Sequence, residues 1–315
     1  MTNHERFFDQ TLNLIEFGHL QTALPMLIGK LYSAHGDQRN WPETRSALLR
    51  HPLHSVLLED PYIAHCVKRP RGYPGDAALI DLIYDQRPPR TISDRAQKLF
   101  DISTSFQTSE AVRQRRHYAA ERLAGAWREK KRICALACGH LREADELIGL
   151  DVSTIVAVDQ DPLSLDVVRA NHGATMRIEE ANVLHFLRKA ARRGEQFDLI
   201  YTLGLTDYFD TRAMSLLHRL MKDCLAPGGE IMLANFLPGH LAIGWMDAVM
   251  DWHLVYRDEA DLHRHAANIG MTAKTFRDPT GTIAFCEMIH HPAVASPTRP
   301  SSALNASRKS PATPE

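Results

Sequence analysis

The sequence predicts an α/β fold, a mostly parallel sheet covered on both faces and preceded by a region that is helical throughout. Three observations predict it. From residue 132 onward, short apolar runs alternate with amphipathic helical stretches, the pattern of a parallel sheet with crossover helices. Before that point, apolar residues recur at helical spacing, as at Leu12, Ile15, Leu20 and Leu24, with Pro25, Pro42, Pro52 and Pro61 as punctuation. The last two apolar segments, MTAKTFRD and TIAFCEMIH, are joined by only PTGT. So short a connection fits a hairpin, and a hairpin is antiparallel.

In chain order, RPRGYPGD over residues 69–76 reads as a turn, and AALIDLIY after it as a helix that Asp76 can cap. Ser109 with Glu110 opens a further helix to about Trp127. The alternation then runs ICALA with LREADELIGL, TIVAVD with PLSLDVVRAN, TMRIEE with VLHFLRKAARR, FDLIYTL with TRAMSLLHRLMKDCL, and EIMLANF with a helix near residues 241–250. With the closing pair this makes a Rossmann-like seven-stranded sheet, mostly parallel, with an antiparallel last strand. The expected division is a helical lid and substrate region over residues 1–130, a cofactor-binding unit over 131–290, and a tail over 291–315. That tail is rich in Pro, Ser, Ala and Thr and is expected to be disordered.

Composition narrows the class. The 315 residues are 44% hydrophobic and 24% charged, ordinary for a globular chain, and the net charge of -1 exerts no overall pull on nucleic acid or acidic membrane. The basic clusters RQRRH, REKKR and RKAARR read as solvated helix faces. Five cysteines without a C-x-x-C pair suit a reducing compartment better than a disulfide scaffold or a structural zinc site. The first residues lack the basic-then-apolar order of a leader, and no apolar run reaches the ~20 residues of a membrane span. A cytoplasmic protein is expected.

Ligands of open parallel sheets bind beyond the carboxyl ends of the strands. The first strand and its turn read ICALACGHLRE over residues 133–143. A dinucleotide would need G-x-G-x-x-G here, so that backbone can approach its diphosphate. The alternating positions hold Ala137, Gly139 and Leu141, a single glycine. S-adenosylmethionine carries no phosphate; it needs close backbone approach at one or two points and an acid for its ribose diol. TIVAVDQDP supplies the acid, Asp159, followed by Gln160, and a carboxylate can accept from both hydroxyls. Asn182 and Val183 follow the third run, FDLIYTLGLTDYF ends its strand on Thr202 to Leu205 with Gly204 among them, and LAPGGEIMLANF is a glycine turn feeding the fifth. Taken in order, these features resemble the class I S-adenosylmethionine-dependent methyltransferases over about residues 132–289. Ala137 and Leu141 depart from that pattern, standing where glycines are usual.

Four stretches go further. RPRGYPGDAALIDLIY, CGHLRE, FDLIYTLGLTDYF and MDWHLVYRDEADL are similar to those of a bacterial group related to the 3-hydroxypalmitate methyl ester-forming methyltransferases. That group carries an R-x-x-G-Y-x-G-D turn, a C-G-x-x-R-E loop, an L-x-D-Y-L-like segment and a D-W-x-L-x-Y-R segment; His140 replaces its commoner proline. The resemblance implies S-adenosyl-L-methionine as cofactor. It implies Gly139, Arg142 and Glu143 at the methionine end, Asp159 on the ribose with Gln160 beside it, and Asn182 and Val183 on the adenine. Tyr73, Gly75 and Asp76 would belong to a lid, and Tyr73, Ala137, Thr202 and Gly204 would complete the cofactor-binding set.

Methyl transfer from a sulfonium is an in-line displacement in which the protein mainly positions and excludes water. A carboxylic acid acceptor is already ionised near neutrality and needs a donor for its spare oxygen rather than a base. Arg257, Arg116, Tyr208 and Tyr256 are candidate donors. An alcohol or amine would need a base, for which His253 is the candidate. Tyr208, Arg257 and His253 are thus the expected catalytic set, with no metal. The expected reaction is O-methylation of a small or fatty carboxylate to a methyl ester. N-methylation or hydroxyl O-methylation of a small molecule, and a non-catalytic cofactor-binding protein, stay open as alternatives. A nucleic-acid substrate is disfavoured because TLGLTDY lacks the Asn/Asp-Pro-Pro-aromatic run of amino-group base methylation. The helical region would serve as a lid, a homodimer surface, or both.

Overall fold

The computed structural model describes residues 3–147 and 149–289; the tail expected to be disordered lies outside the described residues. Eight helices come first: α1 (Asn3–Glu16), α2 (Leu20–Gly36), α3 (Trp41–Arg50), α4 (Pro52–Leu57), α5 (Pro61–Lys68), α6 (Ala77–Asp85), α7 (Asp94–Thr104) and α8 (Gln107–Arg128). Their starts follow from side chains that satisfy the orphan amides of a first turn. Asp60 accepts from the Tyr62 amide at 2.8 Å, Asp76 from Leu79 at 2.9 Å and Ser93 from Ala96 at 3.2 Å. The α8 helix begins two residues before the expected Ser109, whose hydroxyl is buried and donates to the Ser103 carbonyl at 3.1 Å.

The sheet follows: β1 (Ile133–Leu136), β2 (Ile155–Asp159), α9 (Pro162–His172), β3 (Arg177–Glu180), α10 (Val183–Arg192), β4 (Phe197–Thr202), α11 (Thr211–Asp223), β5 (Leu225–Phe236), α12 (Ile243–Ala248), α13 (Glu259–Asn268), β6 (Thr272–Arg277) and β7 (Ile283–Ile289). The strand order is β3-β2-β1-β4-β5-β7-β6. The first five strands are parallel, and β7 lies antiparallel between β5 and β6. β1 and β2 are buried at every residue, as strands covered on both faces require. At the edge, β3 carries Arg177, Glu179 and Glu180, charges that deter further strand pairing. The seven strands, the mostly parallel sheet and the preceding helices make a Rossmann-like α/β fold, as expected.

Two local expectations change. The described residues of the 141–150 stretch do not form the expected helix after β1; they hold one 3₁₀ turn, Ala144–Glu146. Leu141, Ala144 and Leu147 are buried and spaced by three, the period of a 3₁₀ turn, and Leu141 (φ 51°) and Gly149 (φ 77°) leave helical geometry on either side. Conversely, α13 forms where only a motif is read from sequence. A reciprocal capping box between Asp258 and Asp261 starts it.

One apolar cluster continues from the helices into the sheet. It joins Leu24, Leu27 and Leu31 of α2 and Trp245 of α12 to Phe236 of β5 and Phe285 of β7. The helical region is thereby fixed over one face of the sheet. On the opposite face, Phe186 and Leu187 of α10, Met214 and Leu217 of α11, and Leu262 of α13 form a separate cluster.

Asp60 generates a prediction. It is fully buried, and burial pushes its carboxyl up to about 7 from 3.8, against the Ser103 and Tyr62 hydrogen bonds. The folded chain keeps this proton where the unfolded chain has lost it, so the stability it gives is present at low pH and is lost as pH rises toward about 7. Asparagine also caps helices but does not ionise. Between about pH 5 and 8, the urea midpoint of the unaltered chain should therefore fall more steeply than that of Asp60→Asn. Parallel curves would show that Asp60 is not the titrating group.

Candidate functional site

The carboxyl ends of β1, β2, β4 and β5 open into a cavity of about 790 Å³, roofed by the 69–76 turn, α6 and α8. Its floor is the turn after β1. Ala137, Gly139 and Leu141 all take positive φ, at 50°, 55° and 51°. Two of these three are therefore side-chain-bearing residues held in the left-handed region, at a cost of about 1–2 kcal/mol each. At Gly139 a Cβ would stand 3.1 Å from the Ala77 methyl at the start of α6, close enough that α6 would have to give by a few tenths of an ångström.

Asp159 ends β2 and is 5% exposed, with its side chain facing this turn. Its Oδ2 accepts from the Gly139 amide at 2.8 Å and its Oδ1 from the Asp161 amide at 2.9 Å. Burial raises its pKa, and those two amides oppose the shift. Two lone pairs remain for a ligand's hydroxyls. Gln160, Asn182 and Val183 line the same end. Asn182 is also the cap of α10, accepting from the Leu184 amide at 3.1 Å, and its own amide donates to Gln160 at 3.3 Å.

At the other end Glu143 is buried and accepts from the Tyr201 hydroxyl at 2.8 Å; burial raises its pKa. Arg142 is held by Asp81 of α6, through Nε at 2.9 Å and Nη2 at 2.7 Å. Burial opposes ionisation of Asp81, but Arg142 and His140 outweigh it and hold the carboxyl at about 2. Arg71 reaches across from the roof to Asp161 at 2.7 Å and Ser164 at 2.9 Å. The helical region is thus pinned to the loops after β1 and β2 by charged hydrogen bonds.

Tyr208 and Trp252 form the apolar wall, with the Trp252 indole donating to the Tyr208 hydroxyl at 2.9 Å. Tyr73 meets Tyr208 edge to face at 6.2 Å. Gly75 packs beneath them so closely that a Cβ would overlap both the Tyr208 hydroxyl and the Trp252 ring. Asp207 faces the cavity beside Tyr208 and accepts from the Phe236 amide at 2.8 Å. Burial pushes its carboxyl up to about 6.

Of the residues expected from sequence, Tyr73, Ala137, Gly139, Arg142, Glu143, Asp159, Gln160, Asn182, Val183, Gly204 and Tyr208 line the cavity. Thr202, Arg257 and His253 do not. Thr202 is buried in the sheet at the end of β4. Arg257 points inward to brace the loop after β4, donating to the Thr206 carbonyl at 2.8 Å, to Asn235 at 3.1 Å and to the Phe209 carbonyl. His253 is on the surface between Asp247 and Asp251, each at 2.9 Å. Arg116 pairs with Glu146 and lies over the Tyr84 ring, while Tyr256 packs on His240, and neither lines the cavity.

Asp207 and Arg115 are among the lining residues that escape the sequence reading. Arg115 belongs to the RQRRH cluster, read as a solvated face. Helical spacing is the signal that separates it from its neighbours: Val112, Arg115, Ala119 and Leu123 are all buried on one stripe of α8.

No family model matches the chain, and no curated protein matches it in sequence. Solved structures do. A possible exported protein from Bordetella parapertussis is 16% identical, with a TM-score of 0.51, covering 69% of this chain and 80% of its own. Magnesium protoporphyrin IX methyltransferase from Synechocystis PCC 6803, solved with bound SAH, is 11% identical at a TM-score of 0.43, covering 58% and 86%. The N-methyltransferase NodS from Bradyrhizobium japonicum WM9 is 13% identical at a TM-score of 0.41, covering 56% and 97%. At 16% identity the likeness to the Bordetella protein speaks to the fold alone.

The Gly75 contact is testable. Gly75→Ala forces a methyl into the Tyr208–Trp252 contact, and overpacking of this kind costs about 1–3 kcal/mol. The expected results are a lower urea midpoint and an altered tryptophan fluorescence in the folded state. An unchanged spectrum and midpoint would mean that the turn does not seat on this wall.

Proposed function

We propose that the chain is an S-adenosylmethionine-dependent methyltransferase that methylates a carboxylate oxygen of a small or fatty acid, giving a methyl ester. The observation that carries the donor assignment is Asp159: a buried carboxylate at the end of β2, joined to the Gly139 amide, facing a cavity whose floor turn has one glycine rather than a diphosphate cradle. The cavity lies within the range of about 300–1,000 Å³ that small-ligand sites span. Residues 1–130 act in this reading as lid and substrate region over the cofactor-binding unit at 131–290. The five cysteines are unpaired thiols, which suits the reducing cytoplasm. Among the described residues no helix is long and apolar enough to cross a membrane.

When bound, S-adenosylmethionine supplies an electrophilic methyl group on a sulfonium. Asp159 would accept from the ribose hydroxyls, Gln160, Asn182 and Val183 would flank the adenine, and the 137–141 turn with Glu143 would hold the amino-acid end. Tyr208 accepts the Trp252 N–H, so its own proton is free to donate into the cavity and hold one acceptor oxygen. Tyr73, Phe236, Trp252 and Leu254 exclude water from the acceptor side. A carboxylate needs no base, and the apolar wall suits an alkyl chain.

One observation favours a second reading. Asp207 is a buried carboxyl in the cavity with its pKa raised to about 6. Such a group can take a proton from a hydroxyl or ammonium acceptor near neutrality. The resulting pH dependence separates the two. With a hydroxyl acceptor, kcat/KM should rise with pH through about 6 and Asp207→Asn should lose about 100-fold or more. With a carboxylate acceptor, the Asp207→Asn loss should be small.

Two further outcomes are expected. Asp159→Ala should weaken S-adenosylhomocysteine in a calorimeter by about 100-fold or more, since two hydrogen bonds to a charged group are lost at about 1.5–3 kcal/mol each. Unchanged affinity would sink the donor assignment. Incubated with methyl-labelled cofactor and a panel of acids, alcohols and amines, the protein should place label in a base-labile product of an acid. Label found only in base-stable products would count against an ester.

A further inference from the structure

Three arginines line the cavity. Arg71 is paired with Asp161 and Arg142 with Asp81, both at 2.7 Å. Arg115 differs from both. It is 6% exposed, and among the described residues its guanidinium makes one hydrogen bond, from Nη1 to the Leu203 carbonyl at 2.6 Å. Its Nε is buried without a partner among the described residues. Glu143 and Asp207 both feel its positive charge, yet Glu143 is taken by the Tyr201 hydroxyl and Asp207 by the Phe236 amide. The guanidinium lies beside Gly204, where a Cβ would stand 3.6 Å from Nη1. It therefore sits above the loop after β4, between the Glu143 end and the Asp207–Tyr208 end of the cavity. A buried guanidinium that no carboxylate contacts directly keeps N–H donors that another group can satisfy.

We propose that Arg115 is the carboxylate-binding residue of this cavity, its free N–H groups receiving the carboxylate of a ligand seated between α8 and the loop after β4. Resting on the methyl-donor reading above, the inference admits two sources of that carboxylate: the amino-acid end of S-adenosylmethionine, or the methyl acceptor. The planar fork of guanidinium matches a carboxylate in either case. The Leu203 carbonyl fixes Nη1 and leaves the remaining donors to the ligand.

The test uses the full chain, Arg115→Gln and Arg115→Lys, with circular dichroism to establish folding. Calorimetry measures S-adenosylhomocysteine and 5′-methylthioadenosine, which lacks the amino-acid end. Decanoate and decanol are then titrated into protein saturated with S-adenosylhomocysteine. If the cofactor carboxylate is bound, Arg115→Gln weakens S-adenosylhomocysteine about 10- to 100-fold and leaves 5′-methylthioadenosine unchanged. If the acceptor carboxylate is bound, both nucleosides keep their affinity, decanoate loses about 10- to 100-fold and decanol is unchanged. Arg115→Lys, keeping the charge without the fork, should show the same discrimination at smaller amplitude, and it carries the test if the glutamine variant does not fold. The inference is overturned if every affinity is retained. It is equally overturned if the carboxylate-free ligands weaken as much as their partners, which is the mark of a bracing role alone. Failure of the unaltered chain to bind either nucleoside would sink the methyl-donor reading, and Arg115-dependent decanoate binding would then still uphold the carboxylate site.

Discussion

The hydrogen bond from the Gly139 amide to the Asp159 carboxylate is the constraint on which the rest of the site depends. The parallel pairing of β1 with β2 ends at Leu136 and Val158. Beyond it the two chains would diverge, but the Cys138 amide donates to the Val158 carbonyl at 3.1 Å and the next amide, that of Gly139, reaches Asp159. The same aspartate receives the Asp161 amide on its other oxygen, and its backbone carbonyl receives the Ala181 amide at 2.8 Å. One residue thus fixes the exits of β1, β2 and β3 relative to one another. It also holds Ala137 and Leu141 in a backbone conformation they would not choose. Strain of this kind persists only where surrounding contacts over-determine it.

The electrostatics of the cavity follow from burial. Asp159, Glu143 and Asp207 are all carboxyls made more basic by loss of water, and each retains one or two hydrogen bonds to amides or a hydroxyl. Asp81 goes the other way because Arg142 and His140 reach it directly. The difference is contact: a guanidinium within hydrogen-bond range outweighs desolvation, whereas one felt across several ångströms does not. Arg115 is of the second kind for both Glu143 and Asp207, which leaves its charge available.

Much of the fold is legible in the sequence because a sheet covered on both faces demands unbroken apolar strands. ICAL, IVAVD and FDLIYT declare themselves by composition alone. The helix expected at 141–150 is not legible, since a spacing of three and a spacing of 3.6 look alike over seven residues. The loops after β1, β2 and β3 are legible as ligand-facing because topology aims every residue at a strand's carboxyl end toward one rim. Arg257 and His253 are different. Their segment is a loop that turns between the cavity and the surface, and sequence gives which residues it holds but not which way each side chain faces. Trp252 and Leu254 alternate inward while His253 goes to solvent. Arg115 is concealed by the company of Arg113 and Arg116, and only its place on the buried stripe of α8 distinguishes it.

The cavity is walled on one side by chain that precedes residue 116 and on the other by chain that follows residue 136, so any occupant touches two parts of the fold that are separate in sequence. Arg71 and Asp81 already fasten these parts together at the rim. An occupant adds a fastener in the middle, and a molecule that binds only the folded chain stabilises it in proportion to the logarithm of its concentration over its dissociation constant. Heat resistance of this protein is therefore tied to how full its interior is, and in a cell short of ligand the same chain would be turned over sooner.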